Sequence, residues 1–252
     1  LKGKITALLN RYDKAKSRRQ NWDNLWQEAY DYTLPNRGNF TSQVRPGDLQ
    51  AEKIFDGTAM DSVDQLAASI LGNLVPPWSQ WFGLKPGPDL SPEEAESLAP
   101  VLEKAGKTLQ DHLDRSNFAV EIHQSFLDLI IGGTASLFFD EAAPGGFTAF
   151  KFVSVPLSQI VLEEGANGLL DGTFRTSDMT LAQIRERFPQ AILPPKVMNE
   201  GLKDPQAEFS VLEAVTPLEV DFDYTAILKD ASPDPLVLLT SRIPHNPFIN
   251  FR

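Results

Sequence analysis

Cysteine is absent from the 252 residues, which excludes disulfides, thiolate zinc sites and cysteine nucleophiles together and gives no sign of an oxidising compartment. Histidine occurs three times, so any metal chemistry would rest on these three and on carboxylates. No apolar run approaches the ~20 residues that cross a bilayer; the stretch from Leu129 to Phe139 falls far short, and no membrane span is expected. The chain begins at Leu1 with a basic amphipathic stretch where a signal peptide would carry an apolar one, so nothing reads as secretion. Positive charge is in deficit: 23 Lys and Arg against 34 Asp and Glu give a formal net charge of −11, which disfavours tight clamping of nucleic-acid phosphates. Also missing are Gly-x4-Gly-Lys-Ser/Thr, Gly-x-Gly-x-x-Gly, Gly-x-Ser-x-Gly and His-Glu-x-x-His, the usual signatures of nucleotide, serine and zinc chemistry. What is present, 42% hydrophobic and 23% charged residues, is an ordinary folding composition for one or two domains.

The charge is unevenly placed. Residues 1–20 hold seven bases (Lys2, Lys4, Arg11, Lys14, Lys16, Arg18, Arg19) and one acid, Asp13, a net +6 that leaves −17 for the remainder. In the same region Ile5, Leu8, Leu9 and Tyr12, then Trp22, Leu25, Trp26, Ala29 and Tyr30, recur at three- and four-residue steps and predict one long helix ended by Pro35. A Gly/Pro/Asn-rich connection from Asn36 to Gly47 leads to a second helix through Ala59, Val63, Ala67, Ile70 and Leu74, capped by Asp56 or Thr58 and stopped at Pro76-Pro77. Ser91-Pro92-Glu93-Glu94 opens a third, running to about Arg115 and kinked or interrupted at Pro100. Asn117 caps a fourth, with Ile122, Phe126, Leu129 and Ile130 on one face and Gly132-Gly133 as its end. From Thr134 the pattern changes to short β-rich runs: Ser136–Phe139, Phe147–Val153, Gln159–Leu162, Phe209–Val215, Leu218–Leu228 and Leu236–Arg242. One helix, Met179–Phe188 with Asp178 as cap, interrupts them. Helices first and an antiparallel sheet or small barrel second is an α+β arrangement, with regions 1–133 and 134–252.

Clusters that could carry chemistry have plainer readings. Glu121, His123 and Asp128 include residues two apart that diverge on a helix, and Asp61 and Asp64, with Asp56 nearby, are the polar side of an amphipathic one, so both sets read as solvated faces before metal sites. Gly132-Gly133-Thr134-Ala135-Ser136 offers N–H groups and hydroxyls, but after a helix end, where phosphate is not favoured. Trp22, Trp26 and Tyr30 are spaced for stacking on bases or for a packed helix face, and packing is the expected use. Lys14, Lys16, Arg18 and Arg19 are candidates for electrostatic contact with phosphate, a partner protein or a neighbouring acidic subunit.

The order of several segments is more specific than any one of them. Arg19-Gln20-Asn21-Trp22-Asp23-Asn24-Leu25-Trp26 through Tyr32-Thr33-Leu34-Pro35, Ile54-Phe55-Asp56-Gly57-Thr58-Ala59, Leu66-Ala67-Ala68-Ser69, Pro76-Pro77-Trp78-Ser79-Gln80-Trp81-Phe82-Gly83-Leu84, Gly132-Gly133-Thr134-Ala135 and Pro244-His245-Asn246-Pro247-Phe248-Ile249-Asn250-Phe251-Arg252 follow one another along the chain. In that order the sequence resembles the N-terminal, wing-side part of the portal, or head-to-tail connector, protein of short-tailed, podovirus-type bacteriophages. The resemblance implies a structural subunit of a ring, usually of twelve copies, at the capsid vertex of the virion. Double-stranded DNA would pass through it in packaging and ejection, and the tail would attach to it. It implies no enzyme, no cofactor and no membrane. Partners would be a terminase motor, capsid or scaffold and tail adaptor proteins, with assembly in the host cytoplasm; stem, clip and crown would lie outside the chain. Matching motif positions are Trp22, Trp26, Pro35, Asp56, Thr58, Pro77, Trp81, Phe82, Gly133, Thr134, Pro247, Phe248 and Arg252. The acidic balance suits a conduit, because many cation–phosphate contacts would hold the DNA that must slide; the bases are then expected at subunit or capsid contacts. The alternatives are another head-tail adaptor of the virion, or an acidic metal-dependent hydrolase built on Asp56, Asp61 or His123.

Overall fold

The computed structural model describes residues 2–41, 54–76, 79–142, 144–165, 168–231 and 234–252. Four helices come first: α1 (Lys2–Thr33), α2 (Thr58–Leu74), α3 (Pro92–Arg115) and α4 (Phe118–Gly132). The strands β1 (Ala135–Glu141), β2 (Phe150–Val155), β3 (Ile160–Glu163) and β4 (Gly172–Thr180) follow, then the short helices α5 (Leu181–Arg187) and α6 (Pro195–Lys203). The chain closes with β5 (Glu208–Pro217), β6 (Phe222–Leu228), β7 (Leu236–Ile243) and β8 (Phe248–Phe251). The fold is α+β, with helices leading into two open antiparallel sheets of order β2-β1-β8 and β3-β4-β5-β6-β7.

At about 1.5 Å per residue α1 is roughly 48 Å long, and it crosses both layers. Its first half lays Leu8, Tyr12 and Ala15 on Val161, Phe174, Leu212, Ala214 and Ile227 of the five-stranded sheet. Its second half reaches the core between the sheets, where Trp26 packs beside Phe138, Val155, Leu157, Val215 and Phe248. Pro35 ends it and opens a single 3-10 turn, Pro35–Arg37, because a ring without an N–H cannot extend the hydrogen-bond ladder. Helices α2 and α4 cover the three-stranded sheet through Ala67, Ile122, Phe126, Leu137 and Phe152. Helices α5 and α6 cover the outer face of the five-stranded sheet with Leu181, Ile184, Phe188 and Val197.

Several expectations need correction. The Asn117 side chain caps no helix N–H; it donates to Phe152 O (2.7 Å) and accepts from Phe152 N (3.0 Å), spending its amide on the free edge of β2. Glu121 accepts from Ser154 N two residues further along that edge. Asp178 and Met179 belong to β4, and the cap of α5 is Thr180, which forms a reciprocal pair with Gln183. Helix α3 runs uninterrupted through Pro100. Strand β2 starts at Phe150 instead of Phe147, and Leu218–Asp221 is the turn that precedes β6. Strands β4 and β8 and helix α6 were not foreseen. Gly133 does close α4, in the left-handed conformation at φ 69°.

Candidate functional site

A groove of about 850 Å³ runs beside α1. One wall is α1 itself, with Arg11, Ala15, Arg18, Arg19, Trp22 and Trp26; the other is Leu157 with the strand β3 and the turn after it. Gly132, Gly133, Thr134 and Arg252 line it as well. The i, i+4 steps from Arg11 to Ala15 and Arg19, and from Arg18 to Trp22 and Trp26, put these residues on one side of the helix. The C-terminal turn of α4 delivers Gly132, whose carbonyl accepts the Trp26 Nε1–H at 3.1 Å.

Electrostatically the groove is a row of arginines partly answered by acids. Arg11 pairs with Glu163 and Arg252 with Glu164 (3.0 Å). Arg19 is largely buried: it pairs with Asp23 (2.7 Å), donates to the carbonyls of Leu157 (3.0 Å) and Ile160, and lies 5.7 Å from the Trp26 ring centre. Burial pulls its pKa below the usual guanidinium value, against the opposing field of Asp23. Arg19 is thus a bolt between α1 and the sheet, in contrast to its exposed neighbours Lys14, Lys16 and Arg18. Lys16 sits 5.9 Å from the Tyr12 ring, and neither Lys14 nor Arg18 has a charged partner among the described residues.

The aromatic series splits along the helix. Tyr30 is fully buried and Trp26 half-buried, as a packed face requires, but Trp22 is 57% exposed with its ring 6.1 Å from Trp26. Leu25, one turn on, is 55% exposed.

The other motif positions lie elsewhere. Pro35 is buried beneath the 3-10 turn. The N-cap of α2 is Gly57, not Asp56 or Thr58; Asp56 accepts the Thr58 N–H (2.6 Å) and hydroxyl just before it, and these hydrogen bonds hold its carboxyl below the usual range. Trp81 stacks on Phe118 (6.1 Å, 11° between planes) and meets Phe82 edge-on. Pro77 lies outside the described residues. Pro247 O accepts from Phe139 N, and Phe248 is buried against Phe138 with ring centres 4.9 Å apart.

Glu121, His123 and Asp128 do not converge. Glu121 serves Ser154 N, His123 faces Asp64 at 3.7 Å, and Asp128 is buried in an ion pair with Arg37. Among the described residues no three acids or histidines form a metal-sized cluster. The Asp128 pair is a small network: Arg37 donates to both carboxylate oxygens (2.8–3.0 Å) and to Ser154 Oγ (2.6 Å), and Tyr30 donates its hydroxyl to Asp128 (2.7 Å). Desolvation raises the Asp128 pKa despite Arg37, and it raises the Tyr30 phenol far above its ordinary value. A second buried knot places Glu213 against Arg187 (2.6 Å), Arg175 (3.7 Å) and the Tyr224 hydroxyl. The first knot ties α4 to the turn after α1 and to β2, and the second ties β4, β5 and β6 to α5. Sequence reasoning missed Arg37, Glu163 and Glu213, whose charged partners Asp128, Arg11 and Arg187 are 91, 152 and 26 residues away, beyond any local periodicity.

A family model described as bacteriophage head to tail connecting protein matches residues 6–252. A probable portal protein of Bordetella phage BPP-1 is 25% identical over 183 residues, covering 72% of this chain and 32% of that protein. The matched part is thus about a third of that relative's length.

Proposed function

Because the chain belongs to the bacteriophage head to tail connecting protein family, we propose that it forms one sector of a closed ring at the portal vertex of a virion. The match over residues 6–252 carries this reading, since it spans both the helical region and the two sheets. The role is that of a structural connector.

The ring would hold about twelve copies, as the resemblance implies, surround double-stranded DNA during packaging and ejection, and meet terminase, capsid or scaffold, and tail adaptor proteins. It would assemble in the host cytoplasm. Residues 1–133 and 134–252 would act together as one wing, with α1 joining them, since this helix buries its face on the five-stranded sheet. The net charge of −11 supports a conduit that steers a polyanion without gripping it, and pairing of Lys4, Arg11 and Arg19 within the chain withdraws three cations from such gripping. Among the described residues no helix is long and apolar enough to cross a membrane.

The test is the molar mass of the purified chain by light scattering, followed by class averages of negatively stained particles. A ring with a central hole is expected; a monomer at every concentration up to about 100 µM, well above the range of stable interfaces, overturns the reading.

A further inference from the structure

Resting on the ring reading, we propose that neighbouring copies are joined by the acidic first half of α3 of one copy lying along the basic, tryptophan-bearing stripe of α1 of the next.

Among the described residues, neither surface is covered by the rest of its own chain. Lys14, Arg18, Trp22 and Leu25 follow one another at steps of four, four and three residues, so they form one outward stripe of α1. The two cations have no charged partner among the described residues, and the two apolar side chains are more than half exposed. Lys4 is neutralised within the chain by Asp223, Arg11 by Glu163 and Arg19 by Asp23, and Lys16, on another side of the helix, lies over the Tyr12 ring, so Lys14 and Arg18 are the unanswered cations on this side of α1.

Helix α3 supplies the complement. Its attachment to the body is made by its second half: Gly106 lies against Gln80 and Leu84, Gln110 is buried, and Leu113 joins the α4 core. Over residues 92–104 no residue is buried. This projecting arm carries Glu93, Glu94, Glu96 and Glu103 and no cation before Lys104. Glu94, Leu98 and Val101 share one face, with Val101 62% exposed and Glu93 at its shoulder. Glu94 closes the capping box with Ser91 and Glu103 pairs with Lys107, leaving Glu93 and Glu96 unpaired among the described residues. An acidic helix with exposed aliphatic side chains and a basic helix with exposed Trp and Leu match in charge and in apolar content. Because the two surfaces differ, the contact is heterologous, the kind that propagates from copy to copy and closes into a ring.

The test uses two charge-reversed full chains, K14E/R18E and E93K/E94K, with circular dichroism and melting to show that each stays folded. Each variant alone is expected to assemble at least ~10-fold more weakly than wild type, because every contact then sets like charges together. Mixed in equal amounts, the two should assemble again with alternating composition, read by native mass spectrometry, since each reversed α1 now meets a reversed α3. Wild-type-like assembly of either variant overturns the proposal. Loss of assembly in both without rescue on mixing also overturns it, and assigns the α1 stripe to a different partner. A wild-type chain that never assembles removes the ring reading itself, an outcome distinct from the other two.

Discussion

Arg19 and Lys14 show how little a residue's type says about its use. Both belong to the same basic run, yet one is sealed between α1 and β3 and the other faces solvent. The buried ion pairs give the sharpest predictions at this scale. Asp128→Ala leaves Arg37 without its counter-ion and should cost about 3–5 kcal/mol in urea unfolding, whereas Tyr30→Phe removes a single hydrogen bond to a charge and should cost about 1.5–3 kcal/mol. Asp128 also has a signature in pH. Its folded pKa is raised by desolvation, so the native state holds this proton more tightly than the unfolded chain does. The stability from that proton is complete below the ordinary Asp range, near ~4, and is lost as pH rises through the raised value. The stability of wild type minus that of Asp128→Asn should therefore fall across that window; a flat or rising difference would show that Arg37 outweighs desolvation.

Among the elements, α3 has little tertiary support over its first half, where no residue is buried. Its first half depends on local devices, namely the capping box of Ser91 and Glu94, proline in the first turn, and acids at the positive end of the helix dipole. Pro100 sits within that half and removes one ladder hydrogen bond. Pro100→Ala should stabilise the arm by up to about 3 kcal/mol, seen as slower amide exchange over residues 92–104 with little change in the global melt. Helices α5 and α6 are the opposite case, held by close approach. A Cβ at Gly201 would lie 2.6 Å from Leu181 Cβ, so Gly201→Ala must push the pair apart and should cost about 1–3 kcal/mol. Ser91→Ala, by contrast, should loosen α3 locally, by about 1 kcal/mol, through loss of the cap.

For the whole molecule, the charge distribution sets the expected behaviour. A basic stripe on α1 and an acidic remainder of the chain favour contact between copies, and such contact weakens with salt because exposed charges are screened beyond about 10 Å at 0.1 M. Assembly should therefore decline as sodium chloride is raised from about 0.05 to 0.5 M, followed by light scattering. Salt-independent assembly would point to the apolar surfaces alone.

The sequence by itself determined the helical first half and the β-rich second half, because 3.6- and 2-residue periodicities and proline and glycine stops act locally. It also carried the order of motifs that marks the family. Pro35 as the end of α1, the Ser91 opening of α3 and the Gly133 close of α4 were legible for that reason. Strand β4 was hidden because Arg175, Thr176, Ser177 and Asp178 read as polar surface, and the half-buried setting of the first three comes from β5 and α1. Asn117 does stand at the N-cap position of α4, but its side chain makes no capping hydrogen bond because its amide finds a better use on Phe152, which folding alone brings near. Tertiary structure likewise decided which arginine is a bolt and which a free contact. Burial and pairing belong to elements many residues apart, and only their packing fixes whether a given charge is answered inside the chain or left for another one.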